Sequence, residues 1–301
     1  MRMHDDSPGF ARTKRRFDDD ESLYDKRGHR QRLEEIDDTP DEGSRWSTWD
    51  QSTPTEKGPT PYPDWLVTEL AAVDTELGIL KTGKEADVFL LERGVPGTDR
   101  KCVLAAKRYR DSEHRMFHRD AGYLEGRRVR ATRTNRAMAA RTSFGREAIA
   151  GQWAVAEFGA LCRLYERGVP VPYPVQILGT EVLLEFIGTP DGSSAAPRLA
   201  QLRQDTADLP DLWLQLVSAL STMARGGWAH GDLSAYNLLV HEGRLVVIDL
   251  PQIVDVVANP RGPEFLDRDA RNVATWFRQH GVAEADGDEL AALLRADAGL
   301  R

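Results

Sequence analysis

The sequence predicts an α+β fold of two lobes, in which an antiparallel sheet builds the first lobe and helices build most of the second. Short apolar runs separated by glycine and proline turns are concentrated in the first half, together with one long apolar helix. The second half contains longer stretches with helical periodicity and a single hairpin. A ligand held between two such lobes would be contacted from both sides.

Composition divides the chain into three regions. Residues 1–60 contain 15 acidic and 11 basic residues and few aliphatic ones, so a disordered charged tail is expected there. Residues 61–188 are predicted to form the first lobe, with a flexible arginine-rich insert at 111–146, and residues 189–301 to form the helical lobe. The net charge of -8 argues against a protein designed throughout to bind nucleic acid.

The sequence carries no signal for a membrane or an oxidising compartment. No apolar run approaches the roughly 18 residues of a membrane span, and the first residues lack the apolar core of a signal peptide. Cys102 and Cys162 are too few for a disulfide framework. We therefore expect a cytoplasmic location and no membrane partner.

Hydrophobic periodicity and turn residues place the elements in order. An apolar stripe with helical spacing predicts an amphipathic helix over 63–77. Turns at Gly83 and at Pro96-Gly97 separate three apolar runs, which is typical of an antiparallel meander. A glycine follows each of two later helices and is a common helix terminator. The predicted strands are 78–80, 87–91, 102–108, 175–178, 182–186, 238–240 and 245–248, and the other predicted helices are 153–167, 212–225, 263–280 and 288–296, with a linker at 188–197.

Residues 230–250, HGDLSAYNLLVHEGRLVVIDL, carry the strongest chemical signal. Their two apolar strands form a hairpin, which brings Asn237 close to Asp249. An amide oxygen beside a carboxylate suits Mg²⁺. Asp232 is the candidate that orients or deprotonates an attacking hydroxyl, whereas His230 is expected to brace the loop from below. The spacing is that of a kinase catalytic loop followed by a metal-binding aspartate.

A second group of residues is suited to phosphates. Lysines are rare, seven against 33 arginines, so a lysine in an apolar or glycine-bearing stretch is informative. Gly83 would let the backbone approach phosphates, and Lys84 would add positive charge; Glu85 excludes a Walker A loop because it cannot offer a hydroxyl to the metal. Lys107 ends an apolar strand. Its candidate ion-pair partner is Glu157 on the apolar helix predicted at 153–167. The alternative is that Glu157 is an ordinary glutamate exposed to solvent.

These segments together resemble the RIO family of atypical serine protein kinases, in a bacterial-type form. They occur in the family's order and cover roughly residues 65–280. The matching segments are KTGKEADVF at 81–89, AKRYR at 106–110, WAVAE at 153–157, GVPVPYP at 168–174, LEFIG at 184–188, HGDLSAYN at 230–237, IDLPQ at 248–252 and EFLDRD at 264–269.

The resemblance implies a compact protein-kinase-like fold without an activation loop, and the sequence Leu-Pro-Gln after Asp249 agrees with it. It implies ATP with Mg²⁺ or Mn²⁺, and phosphorylation of serine on a protein substrate or on the chain itself. Backbone groups of a hinge that includes Glu185 and Ile187 would hold adenine. By the same analogy Asp249 is a candidate phosphoryl acceptor, which would give an ATPase cycle with a role in ribosome-related assembly.

The predicted insert is strongly basic. Eleven arginines and four acidic residues lie between Arg108 and Arg146. This charge predicts an anion-binding surface for RNA, a ribosomal precursor, an acidic peptide or the chain's own tail, and a solvated loop is the alternative. The resemblance places an autophosphorylated loop here, and the candidate acceptors are Ser112, Thr132, Thr134, Thr142 and Ser143.

Two other functions use the same signature. A small-molecule phosphotransferase of the aminoglycoside or choline kinase type also has His-Gly-Asp followed by an asparagine at this spacing. A nucleotide-gated scaffold or assembly factor would share the ATP-site residues without turnover. The glycine-lysine-glutamate turn and the sequence after Asp249 favour the protein kinase over the first alternative, and phosphoryl transfer or hydrolysis would separate it from the second.

Overall fold

The computed structural model describes Pro40 and residues 43–110, 143–203, 207–250 and 253–300. Its first lobe is a six-stranded antiparallel sheet with the strand order β1-β2-β3-β4-β6-β5. Consecutive strands are therefore neighbours except where β6 pairs with β4. The strands are β1 (Ser44–Trp46), β2 (Val73–Thr82), β3 (Ala86–Gly94), β4 (Lys101–Tyr109), β5 (Pro174–Leu178) and β6 (Glu181–Glu185).

Four helices and two small strand pairs complete the described fold. Asp208 and Asp286 cap the helices that follow them, each accepting backbone N–H groups of the first turn. Burial is concentrated in an apolar core around Leu216, Val273 and Phe277. The helices are α1 (Ser143–Glu166), α2 (Leu209–Arg225), α3 (Gly262–Gln279) and α4 (Gly287–Asp297), and the strands are β7 (Trp228–Ala229) paired with β10 (Val254–Asp255) and β8 (Leu238–His241) paired with β9 (Arg244–Val247).

This architecture confirms the predicted α+β class with a sheet lobe and a helical lobe. The hairpin β8–β9 joins the strands predicted on either side of the Glu242-Gly243 turn, with Leu238 opposite Val247. The helices predicted at 212–225, 263–280 and 288–296 are present within three residues of their predicted ends. No helix in the described part of the chain is long and apolar enough to cross a membrane.

The helix predicted over 63–77 is wrong. Residues 63–72 form turns, and Val73 begins β2, which pairs with β3 as far as Thr82. Gly78 has φ +129° at an irregularity of this pairing, a conformation that no helix contains. The apolar stripe was misleading because its members do not share one environment: Leu66 is buried, whereas Leu70 is 79% exposed. Pairing with a strand distant in sequence overrides the local periodicity.

The boundary of the predicted disordered tail is also wrong. Instead of ending at residue 60, the tail gives way by residue 43 to chain that belongs to the sheet lobe, since Ser44 pairs with Thr75 and Trp49 is buried in the core. Averaging the composition over sixty residues concealed this short tryptophan-containing segment. Residues 1–39 of the tail and 111–142 of the insert lie outside the described residues, and residues 143–146 of the predicted insert begin α1.

Candidate active site

A cleft of about 870 Å³ lies between the sheet and the helical lobe. Its walls come from the β2–β3 turn, β4, α1, the segment after β6, the loop before β8 and the end of β9. The structure brings every site residue predicted from the sequence into this one cleft. They are Gly83, Lys84, Lys107, Glu157, Glu185, Ile187, Asp232, Asn237 and Asp249.

Lys107 lies at the centre of the cleft between two carboxylates. Its Nζ donates to Glu157 Oε1 at 2.7 Å and to Asp249 Oδ1 at 2.9 Å. Burial alone would lower the pKa of Lys107, but the attraction of Glu157 and Asp249 outweighs it and raises that pKa. The ammonium is therefore fully charged at neutral pH, and its position is set by α1 on one side and by the end of β9 on the other.

Glu157 is a buried residue with several hydrogen-bond partners and not a solvated helix residue. It is 1% exposed, and it accepts hydrogen bonds from the Tyr109 hydroxyl and from the Leu250 backbone N–H in addition to Lys107. Such multiple donation is what makes a buried carboxylate tolerable. Glu157 thus ties the strand that carries Lys107 to the chain that follows Asp249.

Asp249 has an unusual backbone. Its φ is +67°, in the left-handed region that aspartate tolerates better than most residues. This turn takes the chain away from β9 and leaves the Asp249 side chain 38% exposed toward the cleft. Burial opposes ionisation of Asp249, but Lys107 lowers its pKa below the usual value. Asp249 is therefore an ionised group that contributes negative charge to the cleft.

The loop before β8 holds Asp232 and Asn237. Asn237 Nδ2 donates to the backbone carbonyl of Asp232 at 2.8 Å, which joins the two ends of the loop. His230 is 1% exposed. Its Nε2 lies 3.0 Å from the carbonyl of Ile248 and must donate to it, so Nδ1 is left to accept from the Asp232 backbone N–H. His230 therefore braces the loop, as expected, and makes no contact that would serve proton transfer.

Asp269 on α3 supports this loop from beneath, a role that the sequence did not reveal. Its buried carboxylate accepts the backbone N–H of Gly231 at 2.7 Å and of Leu233 at 3.0 Å, on either side of Asp232. Burial raises the pKa of Asp269, and these donors and His230 partly offset that effect. An acidic residue on the apolar face of a predicted helix was the available signal.

The donor set of the cleft fits a divalent cation of the Mg²⁺ type. Asn237 uses its amide nitrogen inside the loop, so its Oδ1 is left as the ligand atom. Asp249 uses Oδ1 for Lys107, and Oδ2 is the second candidate ligand. No group of three or more His, Cys, Asp or Glu residues able to hold a metal occurs among the described residues. Mg²⁺ commonly takes only one or two protein ligands and completes its shell with phosphates and water.

The β2–β3 turn places Gly83 and Lys84 over the cleft. A side chain on Gly83 would come within 2.7 Å of the Ala86 carbonyl oxygen, so glycine is required for the turn itself. The Gly83 N–H donates to that same carbonyl and is not directed at a ligand. Lys84 is exposed at the turn, where its flexible side chain can reach an anion.

The end of β6 and the segment that follows it contain Glu185 and Ile187, the two residues of the predicted hinge. The carbonyl of Ile187 already accepts from Ala196 N–H at 2.9 Å. Within the described chain the N–H of Ile187 has no hydrogen-bond partner, so it is the donor left for a heterocycle. Glu185 instead points its side chain back, and its carboxylate accepts the Tyr173 N–H at 2.9 Å. The backbone N–H of Ile187 is therefore available to a ligand, whereas the side chain of Glu185 is engaged within the protein.

Burial raises the pKa of Glu185, and the hydrogen bond from Tyr173 N–H, together with the electrostatic influence of His241, offsets this only in part. A carboxyl whose pKa is raised on folding contributes stability at pH values below its unfolded pKa of about 4.3, and this contribution is lost as the pH rises through the folded value. Glu185→Gln keeps the acceptor oxygen and removes the charge. We expect the variant to melt above the wild type at pH 7.5 and level with it near pH 4, as measured by differential scanning fluorimetry. The exposed Glu264→Gln is the control, and a constant difference between the variants across this range would contradict the assignment.

Two cleft residues escaped the sequence analysis as site residues. Lys81 is the second-last residue of β2, and Arg198 lies just beyond the predicted linker. Strand pairing brings Lys81 to the cleft, and the return of the chain after β6 brings Arg198 there. Neither effect is visible in a local sequence pattern.

The family model described as the RIO domain matches residues 100–290, more than half of the chain. The chain belongs to the RIO family. The resemblance noted from the motifs is thereby confirmed, and the match covers β4 and the helical lobe of this RIO protein as far as the start of α4.

Similar curated proteins carry RIO names. The RIO-type serine/threonine-protein kinase Rio1 of Haloferax volcanii is 36% identical over 229 residues, which are 75% of this chain and 71% of that protein. The serine/threonine-protein kinase RIO1 of Caenorhabditis elegans is 32% identical over 209 residues, 68% of this chain but only 37% of that longer protein. This RIO chain therefore spans most of the archaeal relative and little more than a third of the nematode one.

A solved structure supports the fold. The crystal structure of the Rio2 kinase-ADP/Mg²⁺-phosphoaspartate complex from Chaetomium thermophilum matches with a TM-score of 0.50 and 19% sequence identity, over 74% of this chain and 66% of that one. At that identity the likeness concerns the fold alone. It confirms the two-lobed, kinase-like architecture expected of a RIO protein.

Proposed function

We propose that this chain is a RIO-type serine/threonine protein kinase that transfers the γ-phosphoryl group of ATP to a hydroxyl of a protein substrate or of the chain itself. The observation that carries this proposal is the convergence of nine residues, chosen from separate motifs in the sequence, on one cleft. The serine/threonine kinase names of its RIO relatives support the reaction class. These names do not favour the alternatives, a small-molecule phosphotransferase or a scaffold.

Each residue has a role consistent with its contacts. Lys107, held by Glu157, neutralises the inner phosphates, and Lys84 covers them from the turn. Asp232 is exposed at the cleft floor and orients the acceptor hydroxyl. Asn237 and Asp249 would hold Mg²⁺ or Mn²⁺, which supplies positive charge against the phosphates when bound. Positioning and electrostatics account for most of the rate in such a site.

We also propose that Asp249 accepts a phosphoryl group. Its ionised carboxylate is exposed to the cleft, and Lys107 engages only one of its oxygens. In this step Oδ2 acts as the nucleophile instead of a metal ligand: its attack on the γ-phosphorus forms a carboxyl–phosphoryl bond and breaks the bond to the bridging oxygen, which leaves with ADP. Water then attacks the phosphorus, releases inorganic phosphate and restores the carboxylate. The similar Rio2 structure is a phosphoaspartate complex of that protein. In this chain the step would produce an ATPase cycle.

The chemistry of the label distinguishes the two acceptors. We expect γ-labelled ATP to leave two kinds of label on the full chain: one stable to acid and hydroxylamine, on serine or threonine, and one removed by hydroxylamine, on Asp249. Asp249→Asn should eliminate the second kind. A label entirely resistant to hydroxylamine, in a rapidly quenched sample, would refute the aspartyl intermediate. A chain that binds ATP and yields neither label nor phosphate would instead be a scaffold.

The proposed protein and nucleic-acid partners are inferred from the charge of the predicted insert. The eleven arginines between Arg108 and Arg146, against four acidic residues, support binding of RNA or a ribosomal precursor to the predicted insert. The hydroxyl residues of the same stretch are the proposed sites of autophosphorylation. Most of this stretch lies outside the described residues, so the proposal depends on composition and on the family.

A further inference from the structure

Two cations face the cleft from opposite walls. Lys81 extends from the end of β2 in the sheet lobe, and Arg198 extends from the segment that enters the helical lobe. Neither forms an ion pair with any residue that the structure describes. Both line the same cleft, and partial desolvation, followed by the positive charge of Arg198, lowers the pKa of Lys81.

The described arginines between Ser44 and Arg110 are all ion-paired. Each has a carboxylate partner, and Lys107 on the same sheet has two. The trio of Lys107, Glu157 and Asp249 is therefore net negative before any nucleotide arrives. The paired arginines are Arg45, Arg93, Arg100, Arg108 and Arg110.

This charge distribution poses a problem for a triphosphate. Lys107 cannot by itself compensate a polyphosphate, because Glu157 and Asp249 already outweigh its charge. Lys81, Lys84 and Arg198 are the cations of the cleft that no described carboxylate engages, and they are the groups available to offset the phosphates.

The position of the pair indicates which part of the nucleotide it meets. Arg198 donates from its guanidinium to the carbonyl of Tyr236, the residue before Asn237. Lys81 and Arg198 line the same cleft as Asn237 and Asp249, the proposed metal ligands. An anion between Lys81 and Arg198 would therefore lie beside the proposed metal ligands, where the phosphate chain belongs. Arg198 retains guanidinium donors that can bind a phosphate in addition to the carbonyl.

We propose that Lys81 and Arg198 form a phosphate clamp, one cation from each wall, that binds the phosphate chain of the nucleotide and selects nucleoside phosphates over the bare nucleoside. This inference depends on the proposed ATP-dependent function. Repulsion between the two cations disfavours the empty cleft, and a polyphosphate between them turns that repulsion into two attractions. The clamp thus adds discrimination that the hinge cannot supply, because the hinge contacts only the base.

Binding measurements test the clamp without turnover. The dissociation constants of the β,γ-imido analogue of ATP and of adenosine would be measured by calorimetry, in Mg²⁺ buffer, for the full chain and for Lys81→Met, Arg198→Gln and the double variant. Each single change should weaken binding of the analogue about tenfold, the weight of one charge-assisted contact. Adenosine binding should stay within twofold. Lys81→Arg should recover most of the loss, and the dependence of affinity on salt should fall in the double variant.

The controls are Lys101→Met and Arg261→Gln, which remove exposed, ion-paired cations outside the cleft; neither should change the affinity for the analogue. Analogue affinity within twofold of wild type in the double variant would overturn the clamp, and so would an equal loss of adenosine binding. A wild-type chain that binds adenosine but not the analogue would reject both the clamp and the proposed kinase function. Loss confined to the variants' affinity for the analogue supports the clamp whether or not phosphoryl transfer is later observed.

Discussion

Replacing Asp232 by asparagine is expected to lower the rate of phosphoryl transfer by about 10²- to 10⁴-fold, the usual contribution of a positioned general base. The affinity for ATP should change less than twofold. Asp232 is exposed at the cleft floor, and within the described residues its carboxylate has no hydrogen-bond partner. Asparagine has the same shape and leaves the backbone contacts of the loop in place, but it cannot accept the proton of an acceptor hydroxyl.

The measurement is single-turnover transfer from γ-labelled ATP, with calorimetric binding of ATP measured in parallel. Asp288→Asn is the matched control, because Asp288 is an exposed carboxylate on α4 that pairs only with Arg271. A variant at position 232 that keeps more than a tenth of the wild-type rate would remove Asp232 from the mechanism. Loss of ATP affinity together with rate would indicate damage to the loop held by Asp269 and His230 instead.

Replacing Arg93 by methionine is expected to destabilise the protein by about 3–5 kcal/mol, the effect of leaving one charge of a buried pair without its partner. Arg93 is fully buried on β3 and binds both carboxylate oxygens of Asp74, at 2.6 and 2.9 Å. It also donates to Gln176, which in turn donates to Thr48 and Ser52. The cluster joins β2, β3 and β5 to the segment after β1.

The free energy of unfolding would be measured by urea titration. Lys101→Met is the matched control on the neighbouring strand: Lys101 pairs with Glu92 at the surface, its side chain is 60% exposed, and its loss should cost less than about 1 kcal/mol. Arg93→Met combined with Asp74→Leu should recover much of the loss, because no buried charge then remains unpaired. If Arg93→Met cost no more than Lys101→Met, the cluster would contribute nothing to stability.

The catalytic loop shows why part of the site could be predicted. Asp232, Asn237 and Asp249 are separated only by a short loop and a tight hairpin, so their spacing in sequence determines their proximity in space. Lys107 and Glu157 are 50 residues apart, and their pairing followed from a different argument: a charge on an apolar helix requires a partner. In both cases the physical constraint is visible in the residues themselves.

The wrong predictions concern segments whose structure is decided by contacts between residues far apart in the sequence. Val73 lies in a stretch with helical periodicity, yet it pairs with Gly94 in a strand. The sequence analysis did not single out Asp74 or Arg93, whose burial depends on strands that meet from distant parts of the chain. A prediction from local patterns cannot include such pairings, because the free energy that decides them comes from residues outside the pattern.

By itself, the sequence was sufficient for the two-lobed α+β class, the RIO resemblance and the nine residues of the cleft. These depend on composition, on short-range spacing and on the chemistry that each residue type allows. Only the tertiary structure placed Lys81 opposite Arg198, put Asp269 beneath the catalytic loop and added the segment after residue 43 to the sheet. Each of these depends on the approach of surfaces far apart along the chain, and it is that packing which determines whether a charge is solvated, paired or left to bind a ligand.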